Sequence, residues 1–230
     1  MASVADSRLT RCLVLAAILL PMLALRGLLP WYRIHTAATA IEQAGGSVYR
    51  EPVRPEWMRR ILGERLTQFF EPVVDVKLPA RLGTTSRVLD PTPLLLQLRE
   101  FPGLRRLHAQ WLPLDDYHLQ YLSRLTRLEE IDLANTLITS DGIHHLERLP
   151  RLKILSLAGT EVDDIGLECV SQITSLQMLI LDGTGITDRG IIHLTRLKNL
   201  TEISLSNTAI TDATLELLGR RLPDLAVSDD

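Results

Sequence analysis

The sequence has little of what usually marks a reactive centre. Two cysteines in 230 residues, Cys12 and Cys169, are too few for a disulfide framework. No glycine-rich phosphate loop occurs, and no pair of carboxylates stands in an acid/base arrangement. A net charge of −3 gives no indication of nucleic-acid or anionic-surface binding. What remains is a chain that is 46% apolar, long enough for one domain plus an attachment.

The apolar residues are ordered. Leucines stand at 104, 128, 152, 176 and 200, a constant interval of 24, and a shared pattern follows each one. It reads LEEIDLANTLITSDGIHHLERL from Leu128, LKILSLAGTEVDDIGLECVSQI from Leu152 and LQMLILDGTGITDRGIIHLTRL from Leu176. A fixed period of this length, with leucines at these spacings, predicts a leucine-rich repeat solenoid. The fold class is therefore α/β, with a parallel sheet on the concave face and short helices on the convex face.

Each copy contains two periodicities. Alternating pairs such as Ile131 and Leu133, Leu155 and Leu157, or Leu179 and Leu181 predict a short strand with one buried face. Apolar residues three apart, as in Leu119, Leu122 and Leu125 or Ile191, Leu194 and Leu197, suit one face of a short helix. Between them, Asp116, Asp141, Asp164, Asp188 and Asp212 are expected to cap the helices. Gly142, Gly166 and Gly190 recur where neighbouring copies should pack closely. Thr136, Thr160, Thr184 and Thr208 form a column expected to be buried, its hydroxyls bonded to backbone and tying copies together. Leu112 interrupts that column in the first copy.

The N-terminal part reads differently. Residues 1–11 form a tail, and 12–32 are expected to be a transmembrane anchor, with Arg26 near one end and Trp31 and Tyr32 as interfacial residues. A cleaved signal peptide is the competing reading, because the uninterrupted apolar run spans only Cys12–Leu25. The flanking arginines do not select an orientation, so the side of the membrane is left open. Residues 33–72 are read as a helical linker and N-terminal cap. This contains a helix over 35–43 ended by Gly45-Gly46, a strand at SVYRE and a helix opened by Pro55. Val73, Val76 and Leu78 open an irregular first copy with a long loop at 79–93, and its helix supplies Leu95, Leu98 and Phe101. The repeat domain runs from 73 to 225, and 226–230 is a polar tail.

The T-x-I-T-D-x-G-L core, with AIEQAGGSVYRE and PEWMRRILGERL upstream, resembles leucine-rich repeat proteins of planctomycete-type bacteria. Many of these also begin with a single hydrophobic helix. The resemblance implies a non-enzymatic module that acts by binding partners, without a cofactor.

In a solenoid of this kind, residues flanking the buried strand position point out of the concave face. Adjacent strands lie about 4.8 Å apart, which makes Ile154, Met178 and Ile180 neighbours. They form a candidate partner-binding patch rimmed by Glu130, Asp132, Asp182 and Glu202. Scattered apolar side chains on a sheet face are the plainer reading. His145, Cys169 and His193 share a column but not a metal: helices pack about 8–10 Å apart, so His145 and His193, two copies apart, are about 16–20 Å from each other and cannot both lie about 2.0–2.3 Å from one ion. His108 is read as a surface ion pair with Asp132. The alternatives to a protein or peptide partner are a small-ligand site or enzyme in the 79–93 loop, or a structural envelope component.

Overall fold

A computed structural model describes residues 29–52, 60, 71–80 and 90–228. Eight strands form one sheet in sequence order: β1 (Ser47–Arg50), β2 (Val73–Lys77), β3 (Arg106–His108), β4 (Glu130–Asp132), β5 (Ile154–Ser156), β6 (Met178–Ile180), β7 (Glu202–Ser204) and β8 (Ala226–Ser228). From β2 onward all pairings are parallel and without slippage. Val76, Leu107, Ile131, Leu155, Leu179, Ile203 and Val227 stand opposite one another in the central row, and all but Val227 are buried. The 24-residue interval is thus the distance along the chain from one strand to the same point on the next.

The core is a single continuous column of leucine, isoleucine and valine between this sheet and the convex helices. Asp116–Leu122 and Asp164–Val170 are α-helices, as are Thr92–Gln97 and Asp212–Arg221 in the coils at either end. Two other coils use the tighter 3₁₀ form, wholly in Ser140–Arg148 and partly in Ile192–Arg196. The β-branched Ile143 and Ile191 stand where Leu119 and Leu167 stand in the α-helical coils. Their restricted side-chain torsions lower helix propensity, consistent with the change of helix type.

The N-terminal side is capped by a helix whose described part spans 29–43. Ala37, Ala38 and Ile41 on it are fully buried in the repeat core. Gly45, at φ 94°, ends it, with the Gly46 amide donating to the Ile41 carbonyl at 2.9 Å. β1 then runs antiparallel to β2 and closes that end of the sheet.

Several expectations need correction. Residues 226–230 are not only a polar tail, since Ala226–Ser228 pairs with β7 as a further parallel strand. The proposed anchor over 12–32 lies outside the described residues except for 29–32, which belong to the same helix as 33–43. Among the described residues no helix is long and apolar enough to cross a membrane. The helix opened by Pro55 and most of the 79–93 loop also fall outside them, apart from helical residue Arg60.

Asp116, Asp141, Asp164, Asp188 and Asp212 are not the helix caps. The N-cap residues are Asp115, Thr139, Asp163, Thr187 and Thr211. Asp116, Asp164 and Asp188 begin the helices and turn towards the next coil. There each carboxylate accepts both the amide and the hydroxyl of a threonine: Thr139 (2.8 and 2.7 Å), Thr187 (2.8 and 2.6 Å) and Thr211 (2.8 and 2.9 Å). The coil between them has Ser140 at the aspartate position, and the polarity reverses: the Ser140 hydroxyl donates to Asp163 of the following coil. Gly142, Gly166 and Gly190 lie against these groups, and a Cβ on Gly190 would press into Asp164.

The buried threonines do not link copies. Thr136, Thr160, Thr184 and Thr208 each donate to the carbonyl three residues earlier in their own coil, that of Leu133, Leu157, Leu181 and Leu205, at 2.5–2.7 Å. The ladder between coils is made by the aspartates instead.

Candidate functional site

The concave sheet carries two outward rows. One runs Asp75, Arg106, Glu130, Ile154, Met178, Glu202 and Ala226; the other runs Lys77, His108, Asp132, Ser156, Ile180, Ser204 and Ser228. Ile154 and Met178 are direct cross-strand partners, while Ile180 is two residues beyond Met178 on the same face. The sequence-derived patch is therefore contiguous. Its members are half-buried rather than prominent.

The acids around it differ in availability. Asp182 accepts the Ser204 hydroxyl at 2.6 Å and the Ser206 amide at 2.8 Å, so it holds β6 to β7. Asp132 accepts the Ala134 amide at 3.0 Å and closes its own turn. Glu130 and Glu202 make no such contact among the described residues, which leaves them as the free carboxylates of the rim. His108 does not pair with Asp132. Its ring faces Asp75 at 3.7 Å, and Arg106 also reaches Asp75 at 2.9 Å, because β2 lies on that side in parallel register.

Beside the patch, at the start of the strands, lies a groove of about 440 Å³. Tyr49, Arg105, Glu129, Lys153, Ile154 and Gln177 contribute to its lining. Lys153 bonds Glu129 at 2.7 Å, which holds the Glu129 carboxyl below its ordinary range against the opposing effect of burial, with a lesser contribution from nearby Arg105. Ile154 belongs to both patch and groove.

The sequence reading missed Trp111. Residues 111, 135, 159, 183 and 207 all adopt left-handed backbone (φ 55–65°) at the end of the outward face. Four of them are Asn or Gly, the types suited to it; Trp111 is not, and it is 63% exposed. Aligning the copies at 24-residue intervals exposes the anomaly. Next to it, the side-chain oxygen of Gln110 is buried without a hydrogen-bond partner. A second unanticipated feature is His118, whose Nδ1 lies 2.5 Å from Asp115 while Nε2 lies 3.4 Å from the Thr92 hydroxyl and 3.7 Å from Asp90. The pair with Asp115 is a reciprocal helix cap, and the contacts with Thr92 and Asp90 tie the first coil to its predecessor.

Among the described residues no group of three His, Cys, Asp or Glu side chains is placed to hold a metal ion. Cys169 is half-buried, and burial, with Glu147 nearby, pushes its thiol above the ordinary range, which disfavours the nucleophilic thiolate.

The fold and the outward rows define the class: a leucine-rich repeat solenoid. Residues 126–186 match the leucine rich repeat family model. Two solved structures from Listeria monocytogenes are similar. Internalin C2 (inlC2) shares 25% identity at a TM-score of 0.50 over 61% of this chain, and an internalin (inlF) shares 22% at 0.49 over 58%. The aligned part spans only 57% and 37% of those chains, respectively. No curated protein sequence matches.

Proposed function

We propose that this chain is a membrane-tethered interaction module that receives a protein or peptide on its concave sheet and catalyses nothing. The observation that supports the reading is the contiguity of Ile154, Met178 and Ile180 on the sheet, flanked in the same row by Glu130 and Glu202, with Ile154 and Glu130 also lining the groove. An apolar centre with a polar border is the usual composition of a protein-binding site. The tether is the apolar run within 12–32, and the resemblance to planctomycete-type repeat proteins belongs to the same proposal; which side of the membrane holds the repeats is open.

The test is affinity capture with the full chain in detergent, since cutting at residue 41 would remove Ala37 and Ala38 from the core. Ile180→Glu places a charge at the centre of the patch and should cut recovery of the wild-type partner at least tenfold without changing thermal stability. Equal recovery by the variant would remove the patch from the binding site.

A further inference from the structure

The net charge conceals a segregation that only the coil geometry reveals. Each coil passes through two turns, one leading from strand to helix and the other from helix to strand, and stacking gathers them into two long edges. From residue 109 onward the strand-to-helix edge carries Asp115, Asp141, Glu161, Asp163, Asp188 and Asp212, and among the described residues Arg189 is its only cation. The helix-to-strand edge carries Arg99, Arg124, Arg127, Arg148, Arg151 and Arg196, all exposed; Glu100, Glu129, Glu147 and Asp224 lie on the same edge, with Glu100 bonded to Arg33 and Glu129 to Lys153.

Helix dipoles explain part of this pattern, since cations favour the last turn of a helix, where Arg148 and Arg196 stand. They do not explain Arg124 and Arg127, which lie beyond the end of the helix Asp116–Leu122, or Arg151, which follows Ser140–Arg148. None of these six arginines makes an ion pair or side-chain hydrogen bond among the described residues. Arg99, Arg124 and Arg127 line one pocket of about 310 Å³ with Phe101, Pro102 and Leu104, and no carboxylate contributes to its wall.

The helix 29–43 fixes where this edge sits. Its first described residues lie at the basic edge, with Arg33 bonded to Glu100 at 2.6 Å, beside Arg99. In sequence the apolar run Cys12–Leu25 precedes it, and Leu29 and Tyr32 are exposed.

We infer that the helix-to-strand edge rests on the anionic headgroups of a bilayer, leaving the acidic edge turned away and the concave sheet open to its partner. Guanidinium groups bind phosphate oxygens through planar paired donors, and a row of them matches a surface of repeated phosphates better than a single small anion. For its placement this inference rests on the tether proposed above; for its chemistry it rests on the arginines alone.

Arginine footprinting with phenylglyoxal, read by mass spectrometry, tests it on the full chain in nanodiscs. Neutral phosphatidylcholine discs are compared with discs containing anionic phosphatidylglycerol. In the anionic discs Arg99, Arg124, Arg127, Arg148, Arg151 and Arg196 should react severalfold more slowly, while Arg189 on the other edge reacts equally in both. Because charge contacts at a lipid surface are screened by salt, 0.5 M sodium chloride should remove the protection. The double variant Arg124→Glu/Arg127→Glu should lose protection at Arg99 and Arg148 and keep its melting temperature. Equal reactivity in both kinds of disc would overturn the inference, as would protection extending to Arg189. So would protection of Arg99, Arg124 and Arg127 alone by inorganic phosphate at matched ionic strength in neutral discs, which would mark a discrete anion pocket instead. The tether is read separately, by flotation with neutral vesicles in high salt. If the chain does not float, the tether fails, and footprinting with added anionic vesicles still decides the edge.

Discussion

Removing one carboxylate from the ladder between coils should weaken the stack at a defined interface. Asp164 accepts two hydrogen bonds from Thr187 of the next coil, one from the amide at 2.8 Å and one from the hydroxyl at 2.6 Å. Both are part-buried, and a hydrogen bond to a charged acceptor contributes about 1.5–3 kcal/mol. Asp164→Ala also leaves the Thr187 amide without its partner and removes a negative charge from a helix start, worth about 0.3–1 kcal/mol. Some of this is recovered by water entering the gap and by sharing of the acceptor. We therefore expect a loss of about 2–4 kcal/mol.

The assay is urea denaturation followed by circular dichroism, combined with a double-mutant cycle. Thr187→Val removes the hydroxyl but keeps the amide, so the cycle with Asp164→Ala isolates the hydroxyl bond, with a coupling of about 1–2 kcal/mol. Thr184→Val provides the contrast. Its hydroxyl bonds Leu181 within the same coil, so with Asp164→Ala it should be additive to within about 0.5 kcal/mol. Solenoid stability is carried by interfaces between neighbours, so the Asp164→Ala transition should also broaden as the coils after the third unfold separately. A loss below about 0.5 kcal/mol, or additivity with Thr187→Val, would refute the ladder as the element that joins coils.

Two further outcomes follow from the same geometry. The Ser140 hydroxyl holds the Asp163 carboxyl, and the Thr211 amide holds that of Asp188, below the ordinary carboxylate range. Groups shifted downward on folding stabilise above their unfolded value, about 3.9, and lose that contribution as pH falls through the folded value. The melting temperature should therefore drop on acidification from about pH 5 to pH 2, and Asp188→Asn should flatten the profile; an unchanged slope in that variant would contradict the assignment. At the left-handed position, Trp111→Asn, which copies Asn135 and Asn207, should raise stability by about 1 kcal/mol through relief of backbone strain, measured by thermal denaturation. A fall in stability would instead show that the indole packs onto the coil.

The stacking of the copies was legible in the sequence because it depends on period, and burial enforces period. Every leucine of the 24-residue series lies buried in the core, and the concave rows fall in the register read from spacing alone. Polar roles were less legible. An aspartate beside a helix start has two uses, capping its own helix or bonding a neighbouring coil, and the sequence does not distinguish them. The Thr-Asp pair does both jobs: Thr187 accepts the Arg189 amide as a cap and donates its proton to Asp164. Asp141 was placed in the same series, although the 24-residue interval falls on Ser140, and the compensating acid at Asp163 becomes visible only when two coils are side by side. Of the candidate site, the apolar members were located correctly on the sheet. Which acids remained free was not legible, because Asp132 and Asp182 are engaged by backbone amides whose positions come from folding.

That division between engaged and free charge bears on function. On the strand-to-helix edge the acids of the ladder are already bound: Asp116, Asp163, Asp164 and Asp188 all hold neighbouring coils. Their oxygens are already taken by hydrogen bonds within the fold, and a partner competing for them would have to loosen the stack. On the opposite edge the arginines hold no coil to its neighbour, since the strand register and the leucine core already do so. Substituting them should leave folding nearly unchanged, as is usual for exposed residues without such roles. Charges that can be altered without unstacking the coils are open to an external ligand, and the six arginines meet that condition, whereas in the groove Lys153 and Glu129 already pair across neighbouring coils.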